Sequence, residues 1–399
     1  MNTRINVKNN EELSILGLGC MRLPMKGNQI DEERAIKLIH EAYRNGVNYF
    51  DTAYPYHGGK SEPLLGKALK QGGFRENIYV ATKMPQFMVR SLEQAKKIFD
   101  SQLERLQTDY IDYYLMHMFT DLASFERMKN MGVIAFLEQK KEDGIIKSFG
   151  FSFHGGKEDF IQILKAYPWD FCQIQYNYMD EFTQATVDGL RLAYEMQIPV
   201  IIMEPLRGGR LVNNLPKEVQ NAFAAADKNR SFAEWALRWI WNHKEVNVVL
   251  SGMSTEEQLE ENIKIAADAE PGHLTQEELN VFDQIKSIMM AKTKVPCTGC
   301  NYCMPCHKGV DIPGVFSFYN EKSLMGPKGV SRNYLMFLGL GNQETHYANQ
   351  CIGCGLCEKH CPQKIKISEE MKHAKKDLEP FWFRPVVSVG RGAVRIFRK

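Results

Sequence analysis

Over the first 268 residues, short runs of β-branched and aromatic residues alternate with longer stretches whose apolar positions recur every three to four residues. Near-continuous apolar runs predict strands buried on both faces, and the longer period predicts amphipathic helices. Eight strand runs stand out: ILGLG (15–19), VNYFD (47–51), IYVATK (78–83), IDYYLMH (111–117), IKSFGFS (146–152), FCQIQY (171–176), VIIME (200–204) and VNVVLS (246–251). Between them, Asp31 is placed to cap IDEERAIKLIHEAYRNG, Ser61 to cap SEPLLGKAL with Pro63 in its first turn, and Ser91 to cap SLEQAKKIFDSQLERL. Strand and helix in strict alternation predict parallel βαβ units. Eight such units predict an α/β fold of the (β/α)8 TIM-barrel type, with an open doubly wound sheet as the alternative. A further helical stretch, LTQEELNVFDQIKSIM (274–289), leads into a cysteine-rich region. The expected division is a barrel over 1–285, a second domain over 286–375 and a basic, aromatic tail over 376–399 that includes Arg384, Arg391, Arg395 and Arg398.

With 50 basic and 48 acidic side chains among 399 residues, no net field steers the chain toward nucleic acid or an anionic membrane, so a small ligand is expected. The polar start MNTRINVKNNEELS has no apolar signal core, and no apolar run is long enough to span a bilayer. A cytoplasmic location is expected, and oligomeric state is not legible. Eight of the ten cysteines fall between Cys297 and Cys361, a clustering that points to metal ligation rather than to a disulfide framework. Cys20 and Cys172 stand alone among strand runs and read as buried thiols.

Polar residues recur where the strands end: Asp51 after the second, Lys83 after the third, His117 after the fourth and Ser152 after the fifth, with Tyr56 on the loop that follows Asp51. In a (β/α)8 barrel all strands point one way, and their carboxyl ends converge on one pocket. Singly, such an Asp is more often a cap and such a Tyr is more often packing. Together they suit carbonyl reduction, in which a hydride leaves negative charge on oxygen and a proton donor must stand within hydrogen-bond reach. Tyr56 would be that donor, Lys83 would lower its pKa, Asp51 would hold the ammonium and His117 would orient the carbonyl oxygen.

On these residues the chain resembles the aldo-keto reductases. NYFDTAYPYHGGKSEPLLGKAL carries Asp51 and Tyr56, YVATK carries Lys83 and DYIDYYLMH carries His117; GIIKSFGFS, QIQYN, PVIIMEPLRGG and VVLSGMSTEEQLEEN follow in the family's order. The resemblance implies a nicotinamide cofactor extended across the rim, its amide held by Ser152 and Gln173. Phe153 stands where the family has an asparagine, and Met203 where it has a stacking aromatic ring. Leu206 and Gly208 of the LRGG turn, with Ser251, Ser254, Gln258, Glu261 and Asn262, would meet the pyrophosphate and adenosine. Residues 251–262 contain no Lys or Arg but do contain Glu256 and Glu257, so NADH is expected to bind more tightly than NADPH; Lys264 is the nearest base.

The first cysteine run is Cys297, Cys300, Cys303, Cys306; the second is Cys351, Cys354, Cys357, Cys361, followed by Pro362. C-x2-C-x2-C-x3-C-P is the bacterial ferredoxin run for [4Fe-4S] clusters. Zinc is the alternative, but a tetrahedral site needs only two C-x2-C pairs and leaves the third cysteine of each run unused. The first run departs from the pattern, with two residues before Cys306 and His307 in place of proline. With the long helical insert between the runs, the region resembles the helical ferredoxin domains of succinate dehydrogenase and fumarate reductase. That resemblance implies two clusters that exchange their fourth ligand: Cys297, Cys300, Cys303 and Cys361 for one, and Cys351, Cys354, Cys357 and Cys306 for the other. The functional expectation is an oxidoreductase for a small carbonyl or alcohol, coupled through its clusters to a ferredoxin or another carrier. Nicotinamide moves two electrons and a cluster one, so a flavin at the rim stays open although no flavin motif is recognisable. The alternative is a cofactor-binding redox-sensing or regulatory partner protein whose clusters are structural.

Overall fold

A computed structural model describes residues 1–387 except 28, 214, 298–302, 328, 341–343, 362 and 384. Its contacts divide the chain into two compact units, residues 1–213 with 226–280, and residues 214–225 with 281–399.

The first unit is a closed barrel of eight parallel strands in sequential order: β1 (Leu16–Gly19), β2 (Tyr49–Asp51), β3 (Tyr79–Met84), β4 (Ile111–Phe119), β5 (Ile146–Phe153), β6 (Phe171–Gln175), β7 (Val200–Met203) and β8 (Val246–Ser251). All eight sequence runs become strands; the eighth keeps its bounds, and the others differ from theirs by one or two residues at one or both ends. Side chains alternate across a strand, so one parity faces the interior. Tyr49, Ala81, Tyr113, Leu115, Phe171, Ile201, Val248 and Leu250 fill it as one buried cluster. An antiparallel hairpin, Thr3–Ile5 with Glu12–Ser14, adds Leu13 to that cluster, and Asn6 Nδ2 donates to Tyr113 Oη at 2.8 Å. Strands of three residues are too short to leave a periodic signal, which is why this hairpin was not expected.

The helices cover the outer face. In α1 (Glu32–Arg44), Asp31 caps as expected, accepting from Arg34 N, and Ala35, Leu38, Ile39 and Ala42 are buried at helical spacing. In α3 (Leu92–Leu106), Ser91 accepts from Gln94 N in the same way. The cap expected of Ser61 does not form. In α2 (Ser61–Gly72) it is already helical, and its hydroxyl is drawn inward, accepting from Thr52 Oγ1 at 2.8 Å and donating to Cys20 O at 3.0 Å. The remaining barrel-side helices are α4 (Leu122–Asn130), α5 (Val133–Glu142), α6 (Lys157–Ala166), α7 (Thr186–Glu195), α9 (Phe232–Trp241) and α10 (Glu256–Ala266).

The second unit takes in most of α8 (Lys217–Ala226), which belongs there through Lys292 Nζ to Glu218 Oε1 at 2.8 Å and Phe223 edge-on to Phe282. The boundary expected at 285/286 falls inside the unbroken helix α11 (Gln276–Lys292). Helices α12 (Ile312–Met325), α13 (Val330–Leu335) and α14 (Ile367–Leu378) surround a separate core that includes Val315, Phe316, Tyr334, Tyr347 and Met371. Phe383 from the expected tail is also buried in it, its ring 4.9 Å from Tyr347. Arg384, Arg391, Arg395 and Arg398 lie outside the described residues. Among the described residues no helix is long and apolar enough to cross a membrane.

One of the close backbone contacts in the barrel that tolerate no side chain lies between α2 and α3. A Cβ on Gly66 of α2 would lie 2.5 Å from Arg105 O and 2.6 Å from Leu106 O of α3. Alanine in place of a helical glycine normally gains about 1 kcal/mol. Here the obstacle is backbone, which cannot swing away, and overpacking of this kind costs roughly 1–3 kcal/mol. Gly66→Ala is therefore expected to lower the urea midpoint of barrel unfolding, followed by tryptophan fluorescence; a raised midpoint would contradict the close approach.

Candidate active site

The polar residues singled out in the sequence are the top layer of the inward-facing parity. Asp51 is two residues beyond Tyr49, Lys83 two beyond Ala81, His117 two beyond Leu115, Gln173 two beyond Phe171 and Met203 two beyond Ile201. Four of them are buried: Asp51, Lys83, His117 and Gln173. Lys83 Nζ donates to both Asp51 oxygens at 2.7 Å and to Thr52 O at 2.8 Å, which uses its three protons. Behind the pair, buried Glu62 of α2 accepts from Thr82 Oγ1 at 2.6 Å and Gln102 Nε2 at 2.7 Å, and Gln102 Nε2 also donates to Lys83 O at 3.1 Å. These bonds fix the end of β3 between α2 and α3.

Tyr56 opens a tight turn, Tyr56–Gly59, in which His57, Gly58 and Gly59 take positive φ. The Tyr56 ring lies over Lys83, its centre 5.2 Å from Nζ, and meets the His117 ring edge-on at 6.0 Å. The structure thus brings together all four tetrad positions.

The electrostatics correct one expectation. Burial pushes the Tyr56 hydroxyl above its ordinary pKa; the Lys83 charge pulls it back, but does not win. Burial alone would pull Lys83 down, yet Asp51 outweighs it and the ammonium is held above its usual range. Asp51 is pushed up by burial against the attraction of Lys83 and a hydrogen bond from Gln173. Burial, followed by the charge on Lys83, drives His117 well below the ordinary histidine value, so it is a neutral ring at neutral pH.

The expected cofactor contacts are divided. Ser152 Oγ accepts from Met118 N at 2.8 Å, leaving its own proton to give. Gln173 Oε1 and His117 Nδ1 are buried without a partner among the described residues. An orphaned amide oxygen beside a hydroxyl donor fits the N–H2 and C=O of a carboxamide, so these residues suit nicotinamide. Phe153 is fully buried on Phe160, and Met203 is half-buried at the top of β7. In the LRGG turn Leu206 precedes Gly208, at φ +65°, and Gly209, at φ +92°. Asn262 Nδ2 donates to Ser251 Oγ at 2.9 Å, Ser254 N donates to Gln258 Oε1 at 2.8 Å, and Glu261 is half-buried on α10. Glu256 meets Arg34 at 2.9 Å and Lys37 at 3.7 Å, so α1 supplies bases that the loop sequence lacks.

Several residues were not foreseen. Asp180 accepts from Gln175 and Asn177 at 2.8 Å and from Arg207 Nε at 2.6 Å, tying the β6 loop to the LRGG turn. Phe87, Met88, Met118, Met21 and Phe182 are exposed on strand-end segments, with Phe87 5.7 Å from the His117 ring. The only sequence signal for them is an apolar residue in a loop.

In the second unit, Cys306 of the first run and Cys351, Cys354 and Cys357 of the second line one recess. Gly353 N donates to Cys351 Sγ at 3.4 Å, and Gly353 and Gly355 take positive φ, wrapping the chain around it. Among the described residues no three ligand side chains converge on a point that a single ion could fill. Cys297, Cys303 and Cys361 pack against the same helical core; Cys300 and Pro362 lie outside the described residues.

Residues 15–287 match the aldo/keto reductase family model, and residues 296–365 match the 4Fe-4S dicluster domain model. The chain belongs to the aldo/keto reductase family. L-galactose dehydrogenase of Arabidopsis thaliana is 30% identical over 69% of this chain and 91% of its own length, and the NADH-specific methylglyoxal reductase of Escherichia coli is 27% identical over 63% and 89%. Among solved structures, a holo aldo-keto reductase from Bacillus halodurans superposes with a TM-score of 0.59 at 28% identity, covering 71% of this chain and 96% of that one. A Klebsiella pneumoniae aldo-keto reductase in complex with NADPH, 22% identical over 72% and 95%, shares the fold with a TM-score of 0.58.

The shifts give a pH expectation for this oxidoreductase. A histidine held well below 6.5 stays neutral as pH falls through that value, and a tyrosine held above 10 keeps its proton as pH rises toward it. Reductive kcat/KM should therefore be flat from about pH 6 to about pH 9. An inflection near 6.5 that disappears in His117→Gln would show an ordinary, titrating histidine instead.

Proposed function

We propose that the barrel reduces a small carbonyl compound, or oxidises the matching alcohol, with a nicotinamide cofactor, and that the second unit holds two [4Fe-4S] clusters that exchange electrons with a ferredoxin or similar carrier. The observation that carries the first half is the buried Lys83–Asp51 pair beneath Tyr56, beside a neutral His117. Bound nicotinamide supplies a hydride to the carbonyl carbon. Tyr56 gives its phenolic proton to the oxygen, so the C=O double bond becomes a C–O single bond with one new C–H and one new O–H bond. Lys83 stabilises the phenolate left behind, Asp51 holds Lys83 charged, and neutral His117 offers a ring N–H to orient the carbonyl oxygen. Ser152 and Gln173 hold the carboxamide. The apolar side chains at the mouth, Phe87 foremost, favour a carbonyl carrying an apolar group.

For the clusters, the recess shared by Cys306, Cys351, Cys354 and Cys357 supports one exchanged set, which leaves Cys297, Cys300, Cys303 and Cys361 for the other. A reducing cytoplasm suits these thiolates. NADH is favoured over NADPH because the α1 bases already spend their charge on Glu256.

Four measurements test this reading. Tyr56→Phe should lower carbonyl turnover about 10²- to 10⁴-fold with fold and iron content unchanged; near wild-type turnover would remove Tyr56 from the chemistry. Anaerobically purified protein should hold close to eight irons and eight sulfides per chain, as two cubanes require. Cys306→Ala should erase the EPR signal of the cluster on Cys351, Cys354 and Cys357, whereas loss of the other signal would refute the exchange. Titrated at several salt concentrations, NADH should bind more tightly; a tighter, strongly salt-sensitive NADPH would reverse the assignment.

A further inference from the structure

The inward-facing parity does not end with the tetrad layer. Ser148 and Gly150 of β5 stand opposite Tyr113 and Leu115 of β4, and Ser152 stands opposite Gln173 of β6, so the three share the face that lines the barrel. Two residues further on, the same parity brings His154 at the end of β5 and Gln175 at the end of β6 to a second polar layer above the first. The backbone of His154 is fixed there. Its N–H donates to Phe119 O at 2.8 Å, and a Cβ on the following Gly155 would lie 1.8 Å from Thr120 O, an approach that only glycine allows.

A chain of hydrogen bonds leads to this imidazole, and a carboxylate sets its direction. Burial would raise the pKa of Asp180, but the bonds from Arg207 outweigh it and keep the group ionised. A carboxylate only accepts, so Gln175 Nε2 donates to Asp180 Oδ2 at 2.8 Å and Gln175 Oε1 faces away from it. Gln184 Nε2 donates to that oxygen, which leaves Gln184 Oε1 for the next group. Gln184 takes φ +57°, in the left-handed region, and its Oε1 is buried without a well-formed hydrogen bond. The His154 ring is the group this amide acts on. Burial drives the ring down to about 4 against the pull of Gln184, so at neutral pH it is uncharged and carries one N–H. An amide oxygen claims that N–H, and the other ring nitrogen keeps a bare lone pair. His154 is half-buried and has no further side-chain hydrogen bond among the described residues.

The two imidazoles of the rim thus offer opposite halves of a hydrogen bond. His117 has an N–H for the carbonyl oxygen, whereas His154 has a lone pair that only a donor can satisfy. They lie near enough that a charge on His154 would lower His117 further. Neighbouring strands are roughly 4.8 Å apart, a spacing that suits two oxygens on adjacent carbons. We propose that His154 is a specificity-determining residue that accepts a hydrogen bond from a hydroxyl on the carbon next to the reacting carbonyl, with Gln184 as the positioning residue that keeps its lone pair toward the substrate. The proposal rests on the carbonyl-reduction reading above and narrows the substrate class to α-hydroxy carbonyl compounds and the vicinal diols they become. Phe87 follows β3 and His154 ends β5, with His117 of β4 between them, so an apolar group and a hydroxyl can flank one carbonyl.

Hydroxyacetone and butanone differ by a hydroxyl in place of a methyl group, so the ratio of their kcat/KM values with NADH isolates the hydroxyl. That ratio should fall roughly 10- to 100-fold in His154→Phe, which keeps a ring and loses the acceptor. It should fall by less in Gln184→Leu, where the ring is free to turn its N–H outward. The ratio of methoxyacetone to 2-pentanone, in which the added oxygen has no proton to give, should not change in either variant. A spectroscopic arm needs no turnover. In 15N-histidine-labelled protein, His154 is the signal lost in His154→Phe; it should show one protonated and one bare ring nitrogen in the wild type and a mixture of tautomers in Gln184→Leu. An unchanged hydroxyacetone-to-butanone ratio in His154→Phe would overturn the proposal, as would a doubly protonated His154 ring at neutral pH. An equal fall in the methoxyacetone ratio would make His154 a donor, and a parallel loss of NADH affinity would place it on the cofactor; either result also overturns it. A wild type that turns over none of the four ketones would sink the carbonyl-reduction reading itself, whereas turnover with unchanged ratios removes only the role of His154.

Discussion

Everything at the barrel rim depends on the cost of keeping an ammonium group out of water. Lys83 is 1% exposed, and an unpaired charge at that depth would cost several kcal/mol. The structure meets the cost by giving all three protons of Nζ an acceptor, two on Asp51 and one on Thr52. That requires β2 and β3 to be neighbours in register, with Asp51 opposite Ala81, and requires the end of β3 to be held from behind by Glu62 and Gln102. The ion pair in turn sets the field felt by its neighbours. It helps to keep His117 neutral, and it partly offsets the burial that raises Tyr56. Tyr56 stays protonated and His117 uncharged chiefly because both are buried; the charge of Lys83 opposes the first effect and adds to the second.

A second constraint comes from electron counting. Nicotinamide exchanges two electrons as hydride, whereas a [4Fe-4S] cluster exchanges one. Tyr56, Lys83, Asp51 and His117 are suited to moving a proton in step with hydride and contain no one-electron carrier. The cysteine recess, conversely, has a backbone N–H aimed at Cys351 Sγ, a contact that tunes a thiolate's electron density but does nothing for a carbonyl. The two units therefore carry different chemistry, and a shared task needs a group able to split an electron pair or a substrate able to accept electrons singly.

What could be read from the chain follows from how far each feature depends on distant residues. The barrel was legible because strand burial and helix amphipathicity are written locally, and the tetrad because Asp51, Lys83 and His117 share the parity of the apolar residues two positions earlier. Capping at Asp31 and Ser91 is equally local. Ser61 misled because its hydroxyl finds Thr52 and Cys20, remote in sequence, and the pull of a buried pocket outweighed the cap. The same reason hid Glu256, whose charge is cancelled by Arg34 and Lys37 of α1. The direction of the Tyr56 shift was not legible, because a sequence lists neighbours of a phenol without saying how much water they displace.

Backbone strain points to the same end of the barrel. Among the described residues, ten non-glycine positions take positive φ, and six of them, His57, Met118, Gln184, Thr186, Glu204 and Arg207, lie on segments that follow or end the barrel strands. Thr186 is β-branched, for which this region is especially unfavourable. Each costs of order 1–3 kcal/mol and persists only where surrounding bonds over-determine it. For Arg207 the bonds are the pair to Asp180, itself anchored by Gln175 and Asn177; for Met118 they are the contacts of its N–H with Ser152 and of its carbonyl with Gln86. The strained turns are thus held by hydrogen bonds that run from one strand end to the next. A rim braced in this way keeps the LRGG turn and the Tyr56 loop in place before anything binds, so binding energy need not be spent on ordering them.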